Sequence, residues 1–118
     1  MSRYRHGEEV TPPEGYPLEV RLPPFVYPVR YFRWLRDPED ENAPLAGCVS
    51  EAEIWVELSG TAPRWYVLST IVHEARHLFP WPVDEDTEER CVRMLDYCAP
   101  QLFRHNPALA SWLTGRDD

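Results

Sequence analysis

The chain has 118 residues, 43% of them apolar, and a formal net charge of −8, which suits one domain with a modest core. The acidic balance argues against general binding to nucleic acid or to an anionic membrane surface, and no apolar run approaches the ~20 residues of a bilayer span. Cys48, Cys91 and Cys98 form no zinc-ribbon pattern and cannot all pair, so all three read as small apolar core residues in a reducing compartment. The N-terminal stretch lacks the apolar run of a signal peptide, and the expected location is the cytoplasm.

Residues 1–17 are polar and carry Pro12, Pro13 and Pro17, the composition of an extended, loosely attached arm ahead of a single domain over 18–118. Eight of the 13 prolines fall in the first 44 residues, which excludes long helices there and favours short strands. Leu18-Glu19-Val20-Arg21-Leu22 alternates as a half-buried strand does. The aromatic and β-branched run over 29–35 predicts another strand. Within it Arg30, Arg33 and Arg36 alternate with Tyr31, Phe32 and Trp34, a pattern that also suits base stacking. The acidic balance instead favours a surface strand whose arginines lie along its aromatics. Residues 37–44 read as a charged turn, and 45–49 with 53–58 as a strand pair around Ser50-Glu51. Ile54, Val56 and Leu58 share one face of the second strand, and Gly47 marks a bulge in the first.

The most specific stretch follows: Thr70-Ile71-Val72-His73-Glu74-Ala75-Arg76-His77-Leu78-Phe79. His73 and His77 stand four apart, one helical turn, so two imidazoles can reach one metal ion from a single element. Glu74 sits beside them, where a carboxylate can take a proton from water that the metal activates. Pro63 suits the start of this helix. Leu68, Ile71, Val72, Ala75, Leu78 and Phe79 make its apolar face, opposite a stripe of Tyr66, Thr70, His73 and His77. Pro80 and Pro82 end it.

A second helix is expected over about 87–104, opened by an acidic run in which Asp86 and Glu89 have capping-box spacing. Its buried face would be Cys91, Val92, Leu95, Cys98, Ala99 and Leu102, with a kink near Ala99 set by Pro100. Asn106-Pro107 begins a short last helix bearing Leu109, Trp112 and Leu113 and stopped at Gly115. The fold class is α+β: a small N-terminal antiparallel sheet of about three strands, packed on the motif helix and a second C-terminal helix.

From about residue 26 to 113 this order resembles the minimal gluzincin-type zincin metallopeptidase domain, as found in small phage- and prophage-type peptidases. The likeness lies in the short aromatic strand, Gly47 with the 53–58 strand, the His-Glu-Ala-Arg-His helix, and an acid opening the next helix. It implies one zinc ion per chain, held by His73, His77 and a downstream carboxylate, with Glu74 as general base. It also implies a peptide or protein substrate lying extended along the 53–58 strand as the sheet edge. The elongated variant with a third histidine does not fit, because Pro80 and Val83 stand at its Gly and His positions. His105 and His6 are remote candidates for a ligand. On a helical projection Glu88 joins the stripe of Val92, Leu95, Ala99 and Leu102, whereas Glu89 lies well round the cylinder and, with Asp86 as the cap, would be engaged as the capping-box partner, so Glu88 is the expected third ligand. Tyr66, Arg76, Tyr97 and His105 are the candidate donors to a developing oxyanion. A non-catalytic metal-binding or partner-binding module of the same fold is the alternative.

Overall fold

The computed structural model describes residues 2–113; Gly115, the expected stop of the last helix, lies outside them, and the side chains of Trp112 and Leu113 are not described. The chain divides into two compact units at Pro80 and Trp81. The class is α+β.

The first unit is built on a four-stranded sheet in the order β2-β3-β7-β6, formed by Glu19–Leu22 (β2), Phe25–Phe32 (β3), Gly47–Ser50 (β6) and Glu53–Glu57 (β7). A second, smaller sheet joins Arg5–His6 (β1), Leu35–Asp37 (β4) and Ala43–Pro44 (β5) in the order β1-β4-β5. The expected all-antiparallel sheet is therefore corrected in one pair: β3 and β7 run parallel, with Val29 opposite Ile54 and Tyr31 opposite Val56. The physical reason is the connection. The residues between them, carrying β4, β5 and β6, are long enough for a crossover, which a parallel pair requires.

Local chemistry explains the strand limits. Pro28 has no N–H to donate, and it lies where β3 passes from β2 to β7: Glu19 is opposite Pro28, and Val29 is opposite Ile54. Glu51 and Ala52 both have positive φ, 51° and 63°, as the two central residues of a tight hairpin between β6 and β7. The expected single strand over 29–35 is divided, because the chain bends after Phe32 and resumes as β4 at Leu35.

The sheet buries both faces. Val29, Tyr31, Ile54 and Val56 meet Val67 and Ile71 of the helix Arg64–His77 (α1) on one side. Phe32, Leu35, Cys48 and Trp55 form a second cluster. The apolar face expected for α1 shifts accordingly. Val67 is 1% exposed and takes the central place, while Val72 and Phe79 are 47% and 51% exposed. Pro63 at the N-cap makes no side-chain capping bond, and no acid stands in the first turn, so packing rather than end chemistry holds α1.

The N-terminal residues are extended but not loose. Val10 N–H donates to the Tyr31 carbonyl at 2.8 Å, Arg33 N–H to the Glu8 carbonyl at 3.0 Å, and the Tyr31 hydroxyl to the Pro17 carbonyl at 2.6 Å. Arg30 of β3 and Arg33 just after it are engaged as well: Arg30 pairs with Glu9 and Glu53 at 2.6 and 3.2 Å, and Arg33 with Glu8 at 2.9 Å.

The second unit holds the helices Glu85–His105 (α2) and Pro107–Leu113 (α3). Its cap is Asp84, not Asp86: the Asp84 carboxylate accepts from Thr87 N–H at 2.8 Å. The helix runs unbroken past Pro100, which removes one bond from the ladder without ending it. Of the apolar face expected for α2 only Val92 is buried. Leu95 and Leu102 are 39% and 49% exposed, and Cys98 is exposed, so it is not a core residue. Among the described residues no helix is long and apolar enough to cross a membrane.

The junction of the small sheet yields a pH prediction. Arg3 donates to the Asp37 carboxylate at 2.6 Å, and Glu39 N–H donates to it at 3.0 Å. The Arg3 bond is the largest cause holding the Asp37 carboxyl below its usual range. A depressed folded pKa gives stability that is present above the unfolded value of about 3.9 and is lost as pH falls through the folded value. Thermal midpoints of wild type and Asp37→Asn should therefore differ near neutrality and converge on acidification below about pH 4. A gap that stays constant down to about pH 2 would contradict the pairing.

Candidate metal centre

The motif residues fall where helix periodicity places them. Val67 and Ile71 turn into the core, which brings Thr70 and Glu74, also one turn apart, against strand β6. An ideal Cβ built on Gly47 would stand 2.6 Å from Thr70 Cγ2, 3.1 Å from the Trp55 carbonyl oxygen and 3.3 Å from Glu74 Cγ. Gly47 is in regular register opposite Val56, so the expected bulge is absent. Its glycine serves close approach of helix to strand.

His73 and His77 are half-buried on the same helix, with ring centres 5.1 Å apart and planes inclined by 65°. Glu74 carries its carboxylate 3.9 Å from His73 Nε2, and the two side chains are 22% and 12% exposed for His73 and Glu74 respectively. The pair can be tested against a metal directly. Zinc–nitrogen bonds of about 2.0–2.1 Å at a tetrahedral angle put two imidazole centres about 5 Å apart when both rings point at the ion. The observed spacing fits that requirement. Borderline-soft imidazole nitrogens beside a carboxylate are also the donor set that zinc prefers.

His6 is not in a mobile arm: it lies in β1, its ring stacked on Phe32 at 4.1 Å and edge-on to Trp55 at 5.1 Å, with Nδ1 on the Gly7 carbonyl at 2.7 Å. That stack commits it to the aromatic cluster. His105 closes α2, 17 residues and so about 25 Å of helix rise beyond Glu88, too far for the two to share an ion. Tyr66 is 42% exposed on α1 and Tyr97 is 73% exposed on α2. Arg76 is half-buried in the last turn of α1.

Glu88 and Glu89 are both half-buried near the start of α2. With Asp84 as the cap, Glu89 is not the capping-box partner, and that one of the two grounds for setting it aside fails. It accepts from Arg93 Nε at 3.0 Å, an exposed i,i+4 pair that holds it only weakly.

Comparison of the chain with protein-family models, with curated proteins and with solved structures gives no match. The site therefore rests on its own geometry.

Three neighbours of Glu74 escaped the sequence reading. Gly47 was legible only as a punctuating glycine in a strand. Cys48 and Tyr4 carry no local signal at all, since the fold alone brings them near. Burial pushes the Cys48 thiol up to about 12, with the Glu74 charge as a further cause. The Tyr4 hydroxyl is likewise raised, mainly by burial. A raised thiol pKa means that almost no thiolate forms below about pH 10, and burial excludes reagent as well. Alkylation at pH 8 followed by mass spectrometry should label Cys98 rapidly and Cys48 only after unfolding. Equal labelling of the two in the folded protein would contradict the packing beside Glu74.

Proposed function

We propose that the protein is a zinc-dependent metallopeptidase of gluzincin type, with Glu74 as general base and a single zinc ion per chain held by His73, His77 and a carboxylate from the start of α2. The observation that carries this reading is the pair of imidazoles 5.1 Å apart on one helix with a half-buried glutamate between them in sequence. A site that only stored metal would have no use for Glu74 beside it.

The third ligand we assign to Glu89 in place of Glu88. The capping bond that would have engaged Glu89 belongs to Asp84.

When bound, zinc supplies Lewis acidity: it polarises a carbonyl oxygen and makes water available as a nucleophile near neutrality. The chain's own residues do the rest. Glu74, shielded from bulk solvent, takes the proton from the attacking water at a carboxylate oxygen and returns it to the departing amine. His73 and His77 would hold the ion through ring nitrogens.

The substrate in this reading is an extended peptide or protein segment. The expected docking strand is corrected by the sheet order: β7 is paired on both sides, by β3 and by β6, and has no edge to offer. β6 lies at the edge of that sheet and beside α1, so it is the strand an extended peptide would join. Folded protein in the cytoplasm, acting on peptide rather than on nucleic acid or membrane, is the setting proposed with this activity.

Purified protein should contain about one zinc per chain, and His73→Ala should lose tight binding. Glu74→Gln should keep metal and fold while hydrolysis of an unstructured protein substrate falls by several orders of magnitude, because it removes the base and spares the ligands. Zinc titrations of Glu88→Ala and Glu89→Ala decide the third ligand: Glu89→Ala should bind zinc more than about 100-fold more weakly, beyond the about 10- to 100-fold that losing an outer partner of a ligand costs, with Glu88→Ala near wild type. The reverse order returns the assignment to Glu88. A Glu74→Gln variant as active as wild type means that Glu74 is not the base, whereas a wild type that binds zinc and hydrolyses nothing removes the peptidase reading, and the partner-binding module then takes its place.

A further inference from the structure

We infer that Gly47 is a positioning residue for Glu74: by having no side chain it lets β6 press on α1 at Thr70 and Glu74, and this contact fixes where the Glu74 carboxylate stands. The inference rests on the reading of Glu74 as general base.

Three distances define the fit. A methyl group at residue 47 would lie 2.6 Å from Thr70 Cγ2, 3.1 Å from the Trp55 carbonyl oxygen and 3.3 Å from Glu74 Cγ. The first is well inside van der Waals contact, so something has to move. Thr70 is poorly able to do so. It is β-branched, and its Oγ1 donates to the Tyr66 carbonyl at 2.9 Å, which selects one rotamer. Turning the methyl away from β6 costs that bond. The strand cannot retreat easily either, since β6 is paired with β7 from Gly47 to Ser50, and Trp55 next to it is buried. The remaining freedom is in α1 itself, in the turn that carries Thr70 and Glu74.

Glu74 is the side chain with most to lose. Its Cγ already stands at the strand, and its side chain is only 12% exposed, so the strand forms part of the wall that aims it. His73 and His77 lie on neighbouring positions of the helix surface and are not among the three atoms nearest to that methyl. A disturbance at residue 47 therefore reaches the base before the ligands. Catalytic groups need placement to within about 0.5 Å, and a displacement of about 1 Å can cost 10²-fold in rate.

The test is a two-residue cycle of Gly47→Ala, Thr70→Ser and the double variant, each read by crystal structure, zinc titration and steady-state hydrolysis. Thr70→Ser removes the methyl that the new side chain at position 47 would strike and keeps the hydroxyl bond to Tyr66. In Gly47→Ala, Glu74 Cγ should move by about 0.5 Å or more. Its kcat should fall about 10- to 100-fold with KM and zinc affinity unchanged. In the double variant Glu74 should return and kcat recover at least about tenfold, a rescue that general loss of stability would not show. If Gly47→Ala does not fold, the double variant carries the test. Its recovery of fold and zinc binding supports the inference, and its failure to fold places the constraint at the Trp55 carbonyl and overturns it. A folded Gly47→Ala in which Thr70 moves and Glu74 stays also overturns it. The crystallographic arm needs no substrate, so a wild type that hydrolyses nothing removes the peptidase reading and leaves this inference to be judged on the position of Glu74.

Discussion

The structure of the first unit depends on the burial of Val67 and Ile71 against the parallel pair β3 and β7. Helix α1 begins without a capping side chain or an acid in its first turn, so end chemistry contributes little to it. A 14-residue helix is marginal in water on its own. What fixes α1 is apolar area. Complete burial of a Val or Ile side chain stabilises by about 1.5–3 kcal/mol, and Val67 and Ile71 are 1% and 4% exposed. Once those two face the sheet, helical geometry leaves no choice about the rest. Thr70 and Glu74 must lean on β6, and His73 and His77 must follow on the adjoining side.

Because the sheet is buried on both sides, the same strands serve two clusters. Trp55 and Phe32 pack with Cys48 and Leu35, while their neighbours Ile54, Val56 and Tyr31 pack under α1. This double use explains why the N-terminal residues are tied down. Without them, the second cluster would be open, since Tyr4 packs against it and the His6 ring covers Phe32. The hydrogen bonds from Val10, Arg33 and Tyr31 fasten the same segment along β3. A composition rich in proline and charge signals extension correctly, but it cannot tell a free arm from one paired to a strand.

Legibility followed the range of the interactions. His73, Glu74 and His77 were readable because a one-turn spacing on a helix is a local matter. So were the alternation of β7 and the strand pair around Ser50-Glu51, whose turn falls at Glu51 and Ala52. The parallel pairing of β3 with β7 was not, since it depends on where a long crossover returns the chain. The cap of α2 shows a subtler failure. Asp84 and Asp86 are both competent caps in a run of acids, and only the position of the first helical turn distinguishes them. One of the two grounds for preferring Glu88 over Glu89 rested on that two-residue shift; the other was the projection of Glu88 onto the stripe of Val92. Gly47 failed in another way: a glycine in a strand signals either a bulge or a close approach, and only the partner's coordinates say which.

The sheet order also bears on how such a site would receive a chain. An edge strand is a liability unless it is short or protected, and β6 has only four residues, two of them buried. It is nevertheless the strand that Gly47 presses against the helix carrying Glu74. A peptide laid along β6 would align its backbone with the strand and bring its amides past the base at a distance set by the same contact. Strand addition supplies affinity through main-chain hydrogen bonds, which are indifferent to side-chain identity. Selectivity would then have to come from side chains beside the edge. Tyr66, exposed on α1 one turn before Thr70, would offer one such side chain.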